Sequence, residues 1–446
     1  MKRICNNEQN ALRLMLSKVR IIKTLGLSVF LICCIACEKP SVQFTSALDY
    51  DKYLSSYKAL SRTNALQELG FWQSRLTKDS INLIALTKIA GVYSNLFSLD
   101  GELQNLYTSE KLIKKSLQLS ARNKDDYLRL LAHNYISQHR FREAKYLLDS
   151  AYSFPDNKRA TKLMMFDVLM ELGEYQKADG LLGKLKNNSD YNYLIRLSKW
   201  SDHKGNLDAA IRYMERVKDL ANAKGEISLK IWVYTNLADY YGHSGRLEDA
   251  YQHYLMALAL DPDNAYAKKE IAWIVYAHDR NTVESNRILT AAYKDYKVPD
   301  VFLLKAELAK FDKNLPEAHL QEQHFLKALE VSDYGVMYNT QLAKVLIITE
   351  PVVALGLAKS EVESRATPAT YADLAYVQLM TGDKEGALET IENLVVGKSF
   401  EPKLGYICAL VYKANGVLDK IPALKLELQK SAFELGPVLM RDIEKM

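Results

Sequence analysis

Few residues in this chain bear on covalent chemistry. Cys37 closes an apolar run and follows the small residue Ala36, so its thiol is the candidate for acylation. Strings that signal catalysis are poor. The glycines and lysine of Gly180-Leu181-Leu182-Gly183-Lys184-Leu185 lack the four-residue spacer of a phosphate loop and the hydroxyl residue after the lysine. No HExxH or GxSxG string occurs. His319 and His324 are five apart, which places them on different helix faces and does not suit a metal pair. The other histidines are scattered and read as surface or packing residues. The expectation is a chain without catalytic centre, cofactor or metal.

The residues with regular spacing are apolar, small and aromatic, and they define the elements that must position everything else. In 231–264, Leu237, Ala238 and Tyr241 recur at helical spacing, Gly245 interrupts, and Leu247, Ala250, Tyr254, Ala257 and Leu258 mark a second helix. Pro262 ends the unit, because it lacks an N–H and clashes with the preceding turn. Ala238, Ala250 and Ala257 fall where two helix backbones approach, and Tyr234, Tyr241 and Tyr254 fill the grooves beside them. This 34-residue unit resembles a tetratricopeptide repeat. Leu128, Ala132, Tyr135, Phe141, Ala144 and Leu148 repeat the register upstream. So do Leu169, Gly173 and Ala178, then Leu194, Gly205 and Ala210. Downstream it returns at Tyr371, Ala375, Gly382 and Ala387. The pattern weakens at 265–298, where Glu284 takes a position expected to be small, at 300–331, and at 336–366. The resemblance implies an all-α, right-handed superhelical solenoid of antiparallel helix pairs, because one pair cannot bury its apolar face alone.

The N-terminus carries an address. Lys18, Arg20 and Lys23 precede an apolar stretch at 25–36, too short to span a bilayer and suited to a signal-peptide core. Cys34-Ile35-Ala36-Cys37 resembles the cleavage box of a bacterial lipoprotein, with Cys34 where Leu is usual. That resemblance implies removal of 1–36, lipidation at Cys37 and a lipid-anchored place in the cell envelope. The periplasmic leaflet of the outer membrane is the expected location, since Glu38-Lys39-Pro40 holds no acidic cluster.

Charge and cysteine content are read after removing 1–36. That segment holds six of the 59 basic residues and one of the 54 acidic ones, leaving 53 of each. A neutral body argues against general nucleic-acid binding, which needs a basic excess. With Cys5, Cys33 and Cys34 gone and Cys37 acylated, Cys408 is the last thiol; no internal disulfide can form, and Cys408 reads as a buried small hydrophobe.

Four parts follow: the signal peptide (1–36), a tether (37–48), a helical lead-in with Trp72 as a cap (49–80), and the repeat array (81–446) closed by a capping helix with a polar outer face. A bend is expected near 299–316, between Pro299 and Pro316. In tetratricopeptide arrays the first helix of each pair lines the concave side. The resemblance therefore puts Arg129, His133, Asp167, Lys199, Thr235, Asp239, Lys269, Trp273 and Tyr276 on an inner wall. Mixed charge with aromatics suits an extended peptide or a partner helix. Two function classes remain. One is a lipid-anchored scaffold that binds another envelope protein. The other is a glycan- or nutrient-binding surface lipoprotein, which the short predicted connections disfavour.

Overall fold

Helix ends in this chain are fixed by short side chains. Asn82, Asn206, Asn264, Asn281, Asn314 and Asp383 each precede a helix, and each accepts the backbone N–H three residues on, at 2.9–3.3 Å. Such caps satisfy donors a helix cannot pair internally, at about 1 kcal/mol apiece. Gly173, Gly205, Gly245 and Gly382 hold positive φ in the turns inside pairs, where the chain reverses in a few residues.

The computed structural model describes residues 43–55, 60–76, 82–294 and 296–446. Cys37 and the segment 1–36 lie outside the described residues. Among the described residues there is no strand. Two helices, α1 (Ala47–Leu54) and α2 (Leu60–Gln73), precede ten pairs. The first five pairs are α3 (Leu83–Asp100) with α4 (Leu103–Leu119), α5 (Lys124–Ser137) with α6 (Phe141–Tyr152), α7 (Lys158–Glu171) with α8 (Tyr175–Lys184), α9 (Tyr191–His203) with α10 (Leu207–Lys224), and α11 (Ile227–His243) with α12 (Leu247–Leu260). Next come α13 (Ala265–Ala277) with α14 (Thr282–Ala292), α15 (Asp300–Phe311) with α16 (Leu315–Val331), and α17 (Asn339–Leu346) with α18 (Pro351–Ser364). Then follow α19 (Pro368–Met380) with α20 (Lys384–Leu394), and α21 (Pro402–Ala414) with α22 (Ile421–Lys430). Helix α23 (Ala432–Glu444) ends the chain. The protein is an all-α solenoid.

Small residues sit at the crossings as the spacing requires. Ala132, Ala144, Ala238, Ala250, Ala375 and Ala387 are wholly buried. The weak units at 265–298, 300–331 and 336–366 also form complete pairs. In the first of these the small residue is Ser285, not Glu284. The turn 278–281 is one residue longer than the turn 244–246, which moves the crossing by one position. Ser285 is fully buried and its hydroxyl donates to the Ala272 carbonyl at 2.8 Å. That bond satisfies a hydroxyl that burial would otherwise penalise.

The array curls until distant pairs meet. Lys297 donates its backbone N–H to the Asp100 carbonyl at 2.7 Å and its ammonium to Glu102 at 2.8 Å. The Tyr107 hydroxyl donates to the Asp333 carbonyl, Arg142 to the Ser364 carbonyl at 2.9 Å, and Arg365 faces Glu171 at 3.7 Å. These bonds join α3, α4, α6 and α7 to the stretch from Lys297 to Arg365 along a seam that closes the superhelix.

The lead-in splits. Helix α2 packs on α3, with Trp72 against Ala65, Leu69, Ile89 and Leu96. Helix α1 lies instead on the second helices α12 and α14: Tyr50 donates to Glu284 at 2.7 Å, Tyr251 to Asp49 at 3.0 Å, and Arg287 binds Asp51. Glu284, out of place as a packing residue, is the acceptor that holds α1.

Candidate functional site

The first helices of the pairs face the inside of the superhelix, and helix α23 is laid across them. It touches α11, α13, α15 and α21. One side completes the last hydrophobic cluster, where Leu435, Met440 and Ile443 pack with Leu404, Tyr412, Ile421 and Leu428. The other side meets the inner wall, where Arg441 and Glu434 are half-buried, while Asp442, Glu444 and Lys445 are exposed. Helix α23 breaks at Gly436, with φ +77° and ψ 164°, and Pro437 starts the following turns. Left-handed φ and lack of a side chain are both needed there, because a Cβ would lie 2.7 Å from the Trp273 ring.

A ladder of rings receives α23. Trp273, half-buried, donates its indole N–H to the Phe433 carbonyl at 3.2 Å. Its ring meets Tyr276 edge-on at 5.4 Å, and Tyr276 meets Phe311 edge-on at 5.5 Å. Arg441 stacks on Phe311 at 4.0 Å and donates to the Phe311 carbonyl at 2.7 Å. Tyr276 donates to Glu307 at 2.9 Å. Burial pushes the Glu307 carboxyl up, and the Tyr276 hydroxyl and the Val438 N–H favour its charged form in opposition. Edge-to-face rings with an arginine over one of them resemble the make-up of interface hot spots.

The nine wall residues divide. Arg129, Thr235 and Tyr276 are buried, at 7%, 6% and 0% exposure. Arg129 holds Asp125, Asp126 and Thr161, and Thr235 bonds its own helix. Arg129 and Thr235 serve packing, whereas Tyr276 is buried within the ring ladder under α23. Asp167 pairs with Arg196 at 2.5 Å, Lys199 with Glu171 at 2.9 Å, and Lys269 with Glu270 at 3.0 Å. Asp239 accepts the hydroxyls of Tyr254 at 2.6 Å and Tyr266 at 2.9 Å. Burial nonetheless pushes its pKa up to about 6. His133 is exposed inside the curve, and loss of solvation lowers its pKa, partly opposed by Asp167. Trp273 lies against α23, which stands where solvent was expected. The wall thus brings Trp273 and Tyr276 together, whereas Arg129 and Thr235 belong to the framework.

Two cavities lie between this wall and the seam. One, of about 360 Å³, is lined by His139, Asp167, Glu171, Lys199 and Arg365. The other, of about 500 Å³, includes Asp202, His243, Glu401 and Glu434. Burial raises the pKa of Asp202, Glu401 and Glu434. Lys199 and Arg365 hold Glu171 below the usual carboxylate range against the effect of burial. Among the described residues no group of His, Cys, Asp and Glu could hold a metal ion. Cys408 is buried, and burial pushes its thiol up to about 11, as for an inert packing residue.

Phe433, Gly436 and Arg441 were not singled out by the repeat pattern, since α23 lies beyond the last pair. The breaker dipeptide Gly436-Pro437 is the sequence signal that marks this segment as something other than a plain cap.

The helices and their pairing define a protein of stacked helical hairpins. No family model matches the chain, and no curated protein matches it. Solved structures similar to it include the human IFIT1 dimer with m7Gppp-AAAA, at 13% identity and a TM-score of 0.46, over 78% of this chain and 80% of that one. A tetratricopeptide repeat protein from Parabacteroides merdae shows 19% identity and a TM-score of 0.33, over 58% of this chain and 97% of that one. Yeast Tom70 shows 14% and 0.34, over 86% and 98%. Likenesses this loose carry neither ligand nor partner to this chain; the fold stands on its own helices.

Proposed function

We propose that this protein is a non-catalytic, lipid-anchored scaffold of a bacterial cell envelope, held through Cys37, that binds a helix of another envelope protein on its inner wall. The observation that carries the reading is helix α23 on that wall. The ladder of Trp273, Tyr276 and Phe311 accommodates a short, kinked helix that offers a backbone carbonyl to the indole and an arginine to the Phe311 ring. Helix-in-groove binding works through such anchors. A partner with the same pattern competes with α23 for the wall. The lipobox resemblance supports the envelope location, with the periplasmic leaflet of the outer membrane as the proposed side.

Crosslinking in intact envelopes followed by purification of the chain tests this. A stoichiometric protein, crosslinked to α11, α13 or α15 and lost in Trp273→Ala, is the expected result. Retention of a glycan without any protein partner would overturn it in favour of nutrient capture.

A further inference from the structure

The seam decides which helix ends are covered and which are free. A Cβ at Gly101, in the turn inside the α3/α4 pair, would lie 2.6 Å from Val298, in the connection between α14 and α15. At Gly173, inside the α7/α8 pair, it would meet the Ala366 carbonyl, in the connection between α18 and α19. At Gly205, inside the α9/α10 pair, it would lie 2.7 Å from the Phe400 ring, in the connection between α20 and α21. Each contact sets a turn inside an early pair against a connection between later pairs. Turns and connections stand at opposite ends of their helices, and α16, with 17 residues, is about 25 Å long. The turns inside the later pairs, at 278–281, 312–314 and 347–350, therefore lie away from the seam and form a rim.

This rim carries large aliphatic side chains in water. Val283 is 80% exposed, Leu315 67%, Ile348 74% and Val352 84%. Each lies in one of these turns or in the first turn of the helix that follows it. A single exposed aliphatic residue needs no explanation; a row of them along one edge of three successive pairs does. The chain also enters the array here. The Thr45 hydroxyl donates to Asp279 in the turn 278–281, and α1 then follows α14, with Tyr50 on Glu284 and Asp51 on Arg287. Tyr50 is buried and holds α1 in place, whereas Leu48 is 87% exposed. Cys37 precedes Thr45 by eight positions, a reach of at most about 30 Å. Attachment at Cys37 thus keeps the start of α1, and the rim beside it, close to the membrane.

We infer that this rim is the surface by which the array rests on a lipid bilayer, with Leu48, Val283, Leu315, Ile348 and Val352 entering the headgroup region. The inference rests on the membrane attachment proposed above. The exposed charges in the three turns balance, Arg280 and Lys313 against Asp312 and Glu350, so aliphatic contact holds the rim and anionic lipid is not required. Such a contact adds apolar area to the acyl attachment. It also fixes which way the array stands, as a single point of attachment does not.

Photocrosslinking in intact envelopes tests the inference, with p-benzoylphenylalanine placed in the full-length chain at Leu315, at Val352 or, as a control, at Val331. Val331 is 77% exposed at the opposite end of α16, so it matches Leu315 in chemistry but not in position. Phospholipid adducts at Leu315 and Val352, read by mass spectrometry, and none at Val331 are the expected result. Palmitate labelling of the same samples separates the outcomes. Palmitate without rim adducts overturns the inference and leaves the anchor standing. Rim adducts without palmitate support the rim and remove the acyl group. Adducts at Val331 equal to those at the rim overturn the inference, and the absence of both adducts and palmitate overturns it together with the anchor.

Discussion

Asp239 shows how a single side chain on the inner wall reports its surroundings. Desolvation raises its pKa to about 6, with Glu270 adding to the rise and the Tyr254 and Tyr266 hydroxyls opposing it. The native state therefore holds this proton more readily than the unfolded chain. Stability from the group is fully present below the unfolded value near pH 4 and is lost as pH rises through about 6. Asp239→Asn removes the titration while keeping an acceptor for the tyrosines. Melting of wild type should gain on the variant between pH 7 and pH 4, by roughly 2 kcal/mol; parallel pH curves would refute this. Ala250 offers a packing test on the same pair of helices. It is wholly buried at the α11–α12 crossing, so Ala250→Leu overfills the contact and costs roughly 1–3 kcal/mol. Gln252, exposed two residues on, should take the same change within about 0.5 kcal/mol. Equal melting shifts in the two would contradict this register.

Helix α23 depends on one backbone conformation. Gly436→Ala must hold φ near +77° and push against the Trp273 ring, at a cost of about 1–3 kcal/mol. The same change should shift tryptophan fluorescence as the contact of α23 with Trp273 loosens; an unaltered spectrum and melting temperature would show the contact to be dispensable. Trp273→Ala should likewise lower the melting temperature, since the indole supports α23 as well as facing the groove. Much of this level was legible in the sequence, because small residues at crossings follow a fixed period. Ala132, Ala238 and Ala250 could be placed from spacing alone. Glu284 could not, since a turn lengthened by one residue leaves no mark on apolar periodicity. The covering of the wall by α23 was also hidden, because it pairs Phe433 with Trp273 across 160 positions.

Over the whole molecule the proposed anchor and the seam set the behaviour. Two acyl chains give stable attachment where one does not, so Cys37→Ala should abolish palmitate labelling and release the chain from the membrane fraction. Continued labelling would rule out the assignment. The seam is electrostatically keyed at Glu171, which faces Lys199 and Arg365. Glu171→Lys replaces attraction by repulsion and should open the superhelix, read as a larger radius of gyration in solution scattering with helix content unchanged. An identical scattering profile would locate closure elsewhere. An open stack of hairpins behaves as a line of nearest neighbours, in which the outermost units fray first and melting spreads inward. The bonds from Lys297 to Asp100 and from Arg142 to Ser364 couple pairs that are far apart in the row. The line becomes a loop, and units in its interior lose their independence from those near its ends. Hydrogen exchange should accordingly show α5 and α19 protected to a similar depth, opening together in one cooperative step instead of as a gradient along the chain.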